Sequence, residues 1–374
     1  MSLVFDVVDH ELLVRKLQLY GFSEDVTTWF SNYLTDRKQC VCINGDLSKL
    51  LDVKSGVPQG SILGPLLYTI FTNELPEVVL KNGGESDSAK LERKSLCCYA
   101  DDSTLTCIGS DHTNLTQDLS ENYKTIADFL ANNRLMLNED KTKLLVMTSS
   151  NRRSISQAAN LEQINLSSGD SITQVKSHKL LGCQIQSDLK WTQHIRDNNE
   201  DNMIKGLNQR INALKKIRHI CDFRTRKMVA NGIFLSKLSY MITVWSSCSK
   251  DLMSCLQVLQ NRAAKLITKN DWSVSTETSL RDIGWLSVYQ LSQYHTMLQI
   301  HKVKQSRTPE YIYSMYDWNY NYYTRQAESK LLKPLGIPRL EIAKRSFRWR
   351  AASIYNQLPQ SITILEVPRE FKID

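Results

Sequence analysis

Two adjacent aspartates, Asp101 and Asp102, split an otherwise apolar run, with residues 96–100 before them and 103–108 after. Two apolar arms around a polar break predict a β-hairpin with the acids at its tip. Paired carboxylates in such a place are costly unless they are hydrated or hold a cation. Magnesium prefers hard oxygen ligands, and a two-metal site sets one ion on an attacking hydroxyl and another on phosphates. Ala100 leaves room beside a substrate. Aspartate is also a turn former, so Tyr99-Ala100-Asp101-Asp102 alone also fits a solvated hairpin turn.

A second feature lies upstream. Gly56 and Gly60 bracket Pro58 and Gln59, and an apolar helix is predicted over 62–72 with Ser61 as its cap. Glycine lets a backbone approach a ligand closely, and proline stiffens the loop. No Gly-Lys-Ser/Thr follows, so this is not a phosphate-binding P-loop. Around these motifs we expect a short strand over 1–8 and helices over 10–19 and from Ser23 through Tyr33. A hairpin over 39–44 and 50–54 turns at Asn44-Gly45. A helix is expected over 113–134 and strands over 143–148 and 179–186. Residues 81–95 and 149–174 are expected to loop out. Helices should fill roughly 198–217, 223–243 and 251–269.

The chain has 374 residues, enough for two or three compact units. Its net charge of +8, from 47 Lys and Arg against 39 Asp and Glu, suits a polyanionic partner without requiring one. Nine cysteines, an odd number scattered without zinc-site spacing, fit a reducing compartment. No secretory signal and no apolar run of spanning length is expected. We expect an intracellular protein, not secreted and without a membrane partner, with nucleus and cytoplasm both open.

Taken jointly, these stretches resemble the reverse transcriptase of non-LTR (LINE-type) retrotransposons, near the Jockey and CR1-like group. The resemblance is carried, in the family's order, by Phe5-Asp6-Val7-Val8-Asp9-His10-Glu11-Leu12-Leu13, by Gly56 to Tyr68, and by Tyr99 to Leu105. Leu135-Met136-Leu137-Asn138 with Lys141-Thr142 comes next. His178-Lys179-Leu180-Leu181-Gly182, Leu189-Lys190-Trp191 and His194-Ile195 follow. Likeness is strong over 1–195 and fair over 196–270, where Tyr240 and Trp245 sit. It returns at Arg348 to Pro359.

The resemblance implies an α/β chain: an incomplete right-hand polymerase palm, a helical thumb and a small α-rich C-terminal domain. The regions would be 1–195 (partial fingers and palm with a primer-grip region), 196–270 (thumb-like) and 271–374. It implies RNA-templated DNA synthesis from dNTPs on an RNA template and a DNA primer, with magnesium (or manganese) on Asp101 and Asp102. Tyr99 would pack near the primer end. Phe5 would lie under the incoming sugar and exclude a 2′-hydroxyl. Pro58, Gln59 and Gly60 would contact the nascent base pair and template. Lys141 would lie on the triphosphate side, and Leu181 and Gly182 in a hairpin gripping the primer. For Leu181 and Gly182, a strand with a bulge glycine is the alternative.

One departure bears on activity. The family's first catalytic aspartate falls ahead of Met1, and neither Asp6 nor Asp9 replaces it. Two neighbouring divalent ions need bridging negative charge, so most metal-dependent rate is expected to be lost. The alternative is a non-catalytic nucleic-acid-binding or scaffolding protein derived from a mobile element.

Cations cluster in two places. Lys205, Arg210, Lys215, Lys216, Arg218, Arg224, Arg226, Lys227 and Lys237 share their stretch with one acid, Asp222. At the thumb position this basic run would track phosphates, or it is a solvated helix face. The stretch 325–350 is also basic and lies beside an aromatic cluster over 311–323. We expect that cluster to form a half-buried core rather than a base-stacking surface.

Overall fold

The computed structural model describes residues 4–81, 94–109, 112–148, 172–197, 202–318, 332 and 341–363. Most of the expected loops at 81–95 and 149–174, the aromatics 319–323 and the cations Arg325, Lys330, Lys333 and Arg339 lie outside the described residues. The chain divides into two compact units: unit 1, residues 1–144 and 149–174, and unit 2, residues 145–148 and 175–374. The mixture of helix and strand agrees with a polymerase-type domain.

Unit 1 opens differently from the expected strand. Val4–Asp6 is a single 3-10 turn. The reason is a pairing distant in sequence: the carbonyls of Phe5 and Val8 are taken by the N–H groups of Val57 and Gly56, at 2.6 and 2.8 Å, and not by a neighbouring strand ladder. Asp9 then caps helix α1 (His10–Leu19) by accepting from Leu12 N. Helix α2 (Glu24–Leu34) follows Ser23. The expected hairpin around Asn44-Gly45 is present in two short ladders. Strand β1 (Lys38–Gln39) pairs with β4 (Leu51–Asp52), and β2 (Cys42–Ile43) with β3 (Asp46–Leu47). Cys40 lies between β1 and β2, and Cys42 opens β2.

Helix α3 (Leu63–Thr72) turns Leu67, Tyr68 and Phe71 onto Leu13, Leu17, Phe30 and Leu34 of α1 and α2. A cation is embedded here. Lys16 is buried, its Nζ 5.2 Å from the Phe71 ring centre and 5.3 Å from that of Phe129, and it bonds Glu74 at 2.9 Å. Pairing and ring contacts offset the cost of taking the ammonium out of water. Helix α4 (Leu75–Lys81) and the long α5 (His112–Asn132) enclose a second apolar cluster of Leu75, Val79, Ile126 and Phe129. Leu96 and Leu105 of the hairpin β5 (Lys94–Tyr99) and β6 (Asp102–Cys107) pack against it.

Unit 2 begins with a hairpin where one strand over 179–186 was expected: β7 (Ser177–Leu180) pairs antiparallel with β8 (Cys183–Gln186). Leu181 (φ 48°) and Gly182 (φ 80°) form its two-residue turn. Successive left-handed residues suit the twist of a tight hairpin, so Gly182 is a turn glycine and not a bulge. Cys183 is fully buried and belongs to the same core as α6 (Thr192–Arg196), α7 (Met203–Ile217), α8 (Phe223–Ala230) and α9 (Ser236–Ser239). That core continues through α10 (Ile242–Trp245), α11 (Lys250–Thr268), α12 (Thr276–Asp282) and the start of α13 (Val288–Ser306). Packing therefore groups this hairpin with the helices, independently of family regions bounded at 195 and 270.

The helix expected over 223–243 is interrupted. A π turn occupies Asn231–Leu235, and Met241 adopts φ 52°, which ends α9 and starts α10 anew. Farther on, α14 (Phe347–Tyr355) closes a small core with Ile300, Tyr316 and Leu332. Arg350 ties it to α10, donating to Thr243 O at 2.7 Å and Ser246 Oγ at 2.9 Å. Tyr316 is buried and Trp318 half-buried, as a core requires, whereas Tyr311 is exposed. No described helix is long and apolar enough to cross a membrane.

Candidate active site and nucleic-acid surface

The β5–β6 hairpin is anchored at its base and free at its tip. Register pairs Tyr99 with Asp102, which leaves Ala100 and Asp101 as the turn. Ala100 sits at φ 49°, a conformation that costs a residue with a Cβ about 1 kcal/mol. Tyr99, Asp101 and Asp102 are all exposed, and among the described residues neither carboxylate is paired with a cation. Their oxygens are the kind magnesium takes, usually one or two carboxylates completed by water and phosphate. Among the described residues no three His, Cys, Asp or Glu side chains gather into a metal cluster.

Behind the tip stands Tyr68, which sequence reasoning did not single out. Burial pushes its hydroxyl up to about 12, and the neighbouring Asp101 and Cys98 push the same way. Its ring lies 4.9 Å from that of Phe5. The structure thus brings Phe5, Tyr68 and Asp101 into one neighbourhood. The signal available in sequence was only that Tyr68 ends the matched stretch from Gly56.

The Gly56–Gly60 loop is stitched to the residues just after Phe5. His10 Nε2 lies 2.7 Å from Gly56 O, and Ser55 Oγ donates to Asp6 O at 3.0 Å. Gln59 Nε2 donates to both carboxylate oxygens of Asp6 at 3.2 Å. Gly56 is required twice over: its φ is +89°, and a Cβ there would lie 2.6 Å from Asp6 Cα. Ser61 Oγ accepts from Gly64 N at 2.9 Å and donates to Pro58 O at 2.7 Å; α3 starts one residue later than expected, with Ile62 in the cap position and Ser61 just ahead of it. Asp9 is committed elsewhere, to Leu12 N and an ion pair with Arg134. Burial works against the Asp9 carboxylate, but those partners outweigh it and hold it below the ordinary value. Lys141 is exposed in a turn closed by Asn138, which accepts from its backbone N–H at 3.1 Å. Among the described residues no bond joins its side chain to the hairpin.

In unit 2, Leu181 and Gly182 rest on Tyr240. The tyrosine hydroxyl donates to Leu181 O at 2.6 Å, and its ring lies 3.6 Å from where a Gly182 Cβ would stand. On α7, Met203, Leu207, Ile211 and Leu214 face the core, so Lys205, Lys215 and Lys216 face solvent. Arg210 is half-buried and donates to Gly206 O at 2.9 Å. Arg218 is half-buried, with Nε enclosed and unpartnered among the described residues. Arg226 departs from the expected basic face. It is buried and donates to Ile267 O at 2.8 Å, in the last turn of α11, and to Cys221 O at 2.6 Å, in the turn ahead of α8.

The profile of the family described as "Reverse transcriptase (RNA-dependent DNA polymerase)" matches residues 1–185. Residues 1–185 are a reverse transcriptase domain, and the chain is similar to the polymerases of non-LTR retrotransposons. Three fly relatives agree. A probable RNA-directed DNA polymerase from transposon BS of Drosophila melanogaster is 27% identical over 79% of this chain and 31% of its own length. That from transposon X-element of the same species is 23% identical over 72% and 28%. The RNA-directed DNA polymerase from its mobile element jockey is 23% identical over 75% and 29%. The chain thus spans under a third of the length of these relatives.

Proposed function

We propose that this reverse transcriptase domain binds an RNA template paired with a DNA primer and takes a divalent ion on Asp101 and Asp102. RNA-templated DNA synthesis is the reaction: the primer 3′-hydroxyl attacks the α-phosphate of a dNTP, a phosphodiester forms and pyrophosphate leaves. The observation that carries this reading is the exposed carboxylate pair at a two-residue hairpin turn, beside the Phe5–Tyr68 contact. A magnesium or manganese ion there supplies Lewis acidity to the hydroxyl and neutralises phosphate charge. Phe5 screens the sugar, and Tyr99 borders the primer end. The Pro58-Gln59-Gly60 loop borders the nascent pair, and Lys141 the triphosphate. Leu181 and Gly182 hold the primer strand, and Lys205, Arg210, Lys215, Lys216 and Arg218 follow phosphates.

A metal pair needs carboxylate charge beyond these two residues. Among the described residues no further acid joins them, and Asp6 and Asp9 are engaged with Gln59 and Arg134, so synthesis by this chain alone is expected to be weak. Extension of oligo(dT) on poly(rA) with magnesium or manganese tests the assignment. Whatever synthesis occurs should fall about 100-fold or more in Asp101→Ala, by analogy with loss of other charge-stabilising groups. Undiminished synthesis would overturn it.

The exposed lysines of α7 favour a second reading, a non-catalytic nucleic-acid binder or scaffold. It predicts salt-dependent hybrid binding that ignores Asp101→Ala but weakens when Lys215, Lys216 and Arg218 are replaced.

A further inference from the structure

A cleft of about 340 Å³ lies beside the Gly56–Gln59 loop, bordered by Asp6, Arg37, Lys38, Pro58 and Gln59. Two cations on its wall suit a phosphate-bearing ligand. Arg37 is braced there, its guanidinium 5.2 Å from the Tyr33 ring centre. The rest of the polar wall is Gln39, Ser55 and the pair of Asp6 and Gln59. A carboxylate can only accept hydrogen bonds, so the Gln59 edge that meets it must be the NH₂ edge. Both Asp6 oxygens lie 3.2 Å from that nitrogen. The carboxamide oxygen is therefore turned away from Asp6 and left as an acceptor.

The backbone around this pair is fixed from both sides. Val57 N and Gly56 N bond the carbonyls of Phe5 and Val8, and Ser55 Oγ bonds that of Asp6. Gln59 itself is exposed, so its contact with Asp6 adds little to stability. What the contact sets is orientation.

We propose that Asp6 is a positioning residue: it locks the Gln59 carboxamide so that Oε1, and not the NH₂, meets a hydrogen-bond donor on a nucleotide in the cleft. The assignment rests on the proposed nucleic-acid function for its ligand, and on the geometry alone for the Asp6–Gln59 coupling. The donor is a hydroxyl or ring N–H of either the template strand or an incoming nucleotide.

An exchange of the pair tests it. Asp6→Asn gives the neighbour a donor as well as an acceptor, so the carboxamide is free to flip. Gln59→Glu sets two carboxylates together. The double change, Asp6→Asn with Gln59→Glu, restores one donor facing one acceptor and keeps the pair's total charge. It again leaves an oxygen toward the cleft.

Affinity for fluorescent oligo(dT) on poly(rA) is measured with the full chain and magnesium, without and with dTTP. Each single variant should bind about 5-fold more weakly, equivalent to one net hydrogen bond. The double variant should recover to within about 2-fold of wild type. A loss seen without dTTP assigns the donor to the template, and one seen only with dTTP assigns it to the incoming nucleotide. A double variant no better than the singles overturns the proposal.

Spectra of chain carrying ¹⁵N-glutamine supply a readout that needs no ligand. The Gln59 side-chain amide signals should move in Asp6→Asn while those of the other glutamines hold. Unmoved Gln59 signals overturn the coupling whatever the binding data. Wild-type chain that binds no hybrid overturns the functional reading and the ligand assignment together, while the spectra still decide the coupling.

Discussion

Unit 1 and unit 2 are held together by different means. Unit 2 has one large core, from Cys183 through Trp245 and Leu256 to Leu291, and a small one around Ile300 and Tyr355, and the exposed lysines of α7 ride on the outside of the large one. Unit 1 has two smaller cores, which root the loop through Val57 and the hairpin through Leu96 and Leu105, while Gln59, Asp101 and Asp102 stand exposed on a loop stitched to residues 5–10 and on a hairpin tip. A deep apolar core tolerates almost any polar surface, so unit 2 can vary its outer charges cheaply. A loop held by backbone geometry tolerates few changes even where it is exposed.

The largest expected effect is in the deep core. Trp245 is fully buried and donates from Nε1 to Tyr240 O at 2.8 Å. Trp245→Ala should destabilise unit 2 by about 4 kcal/mol, measured by urea unfolding, and leave the unit 1 hairpin intact. Gly56→Ala should destabilise unit 1 by about 3 kcal/mol through its positive φ and the contact with the Asp6 backbone. Equal loss in both units from either change would dissolve the contrast.

Acid should separate the units next. Burial first, then Lys237 and Lys179, lowers His194 of unit 2 from 6.5 to about 4. Between those values the unfolded chain binds a proton that the folded chain does not, so unit 2 loses stability as pH falls through that window. Asp9 of unit 1 is shifted below 3.8, so its contribution persists above 3.8 and is lost only as pH falls through the lower, folded value. Unfolding followed by tryptophan emission in Trp29→Phe, which removes the one tryptophan of unit 1, checks this. His194→Gln should flatten the dependence. The smallest stability effect belongs to Lys215→Gln with Lys216→Gln, within about 0.5 kcal/mol of wild type. The same pair should reduce the salt slope of hybrid binding by about 2.

The hairpin and most helices were legible because their signals are local. Apolar arms around Asp101-Asp102 and the spacing of Leu207, Ile211 and Leu214 need no partner to be recognised. What escaped depends on distant pairing. The Val57–Phe5 and Gln59–Asp6 bonds join residues about fifty positions apart, and they turned an expected strand into a single turn. Tyr240 and Tyr68 look like ordinary aromatics until Leu181 and Phe5 are seen against them. Arg226 reads as one cation of a basic run, yet its value lies in buried carbonyls. Composition reports charge, but only packing reports which way a charge faces.

The carboxylates of the turn carry the account's main weight. Titration of manganese into the chain bound to primed poly(rA), followed by the electron paramagnetic resonance signal of the free ion, addresses them directly. Wild-type chain should remove manganese from solution, and Asp101→Asn should lose at least about 10-fold in affinity while still binding the hybrid. Equal uptake of the ion by both proteins would contradict a metal site at the hairpin.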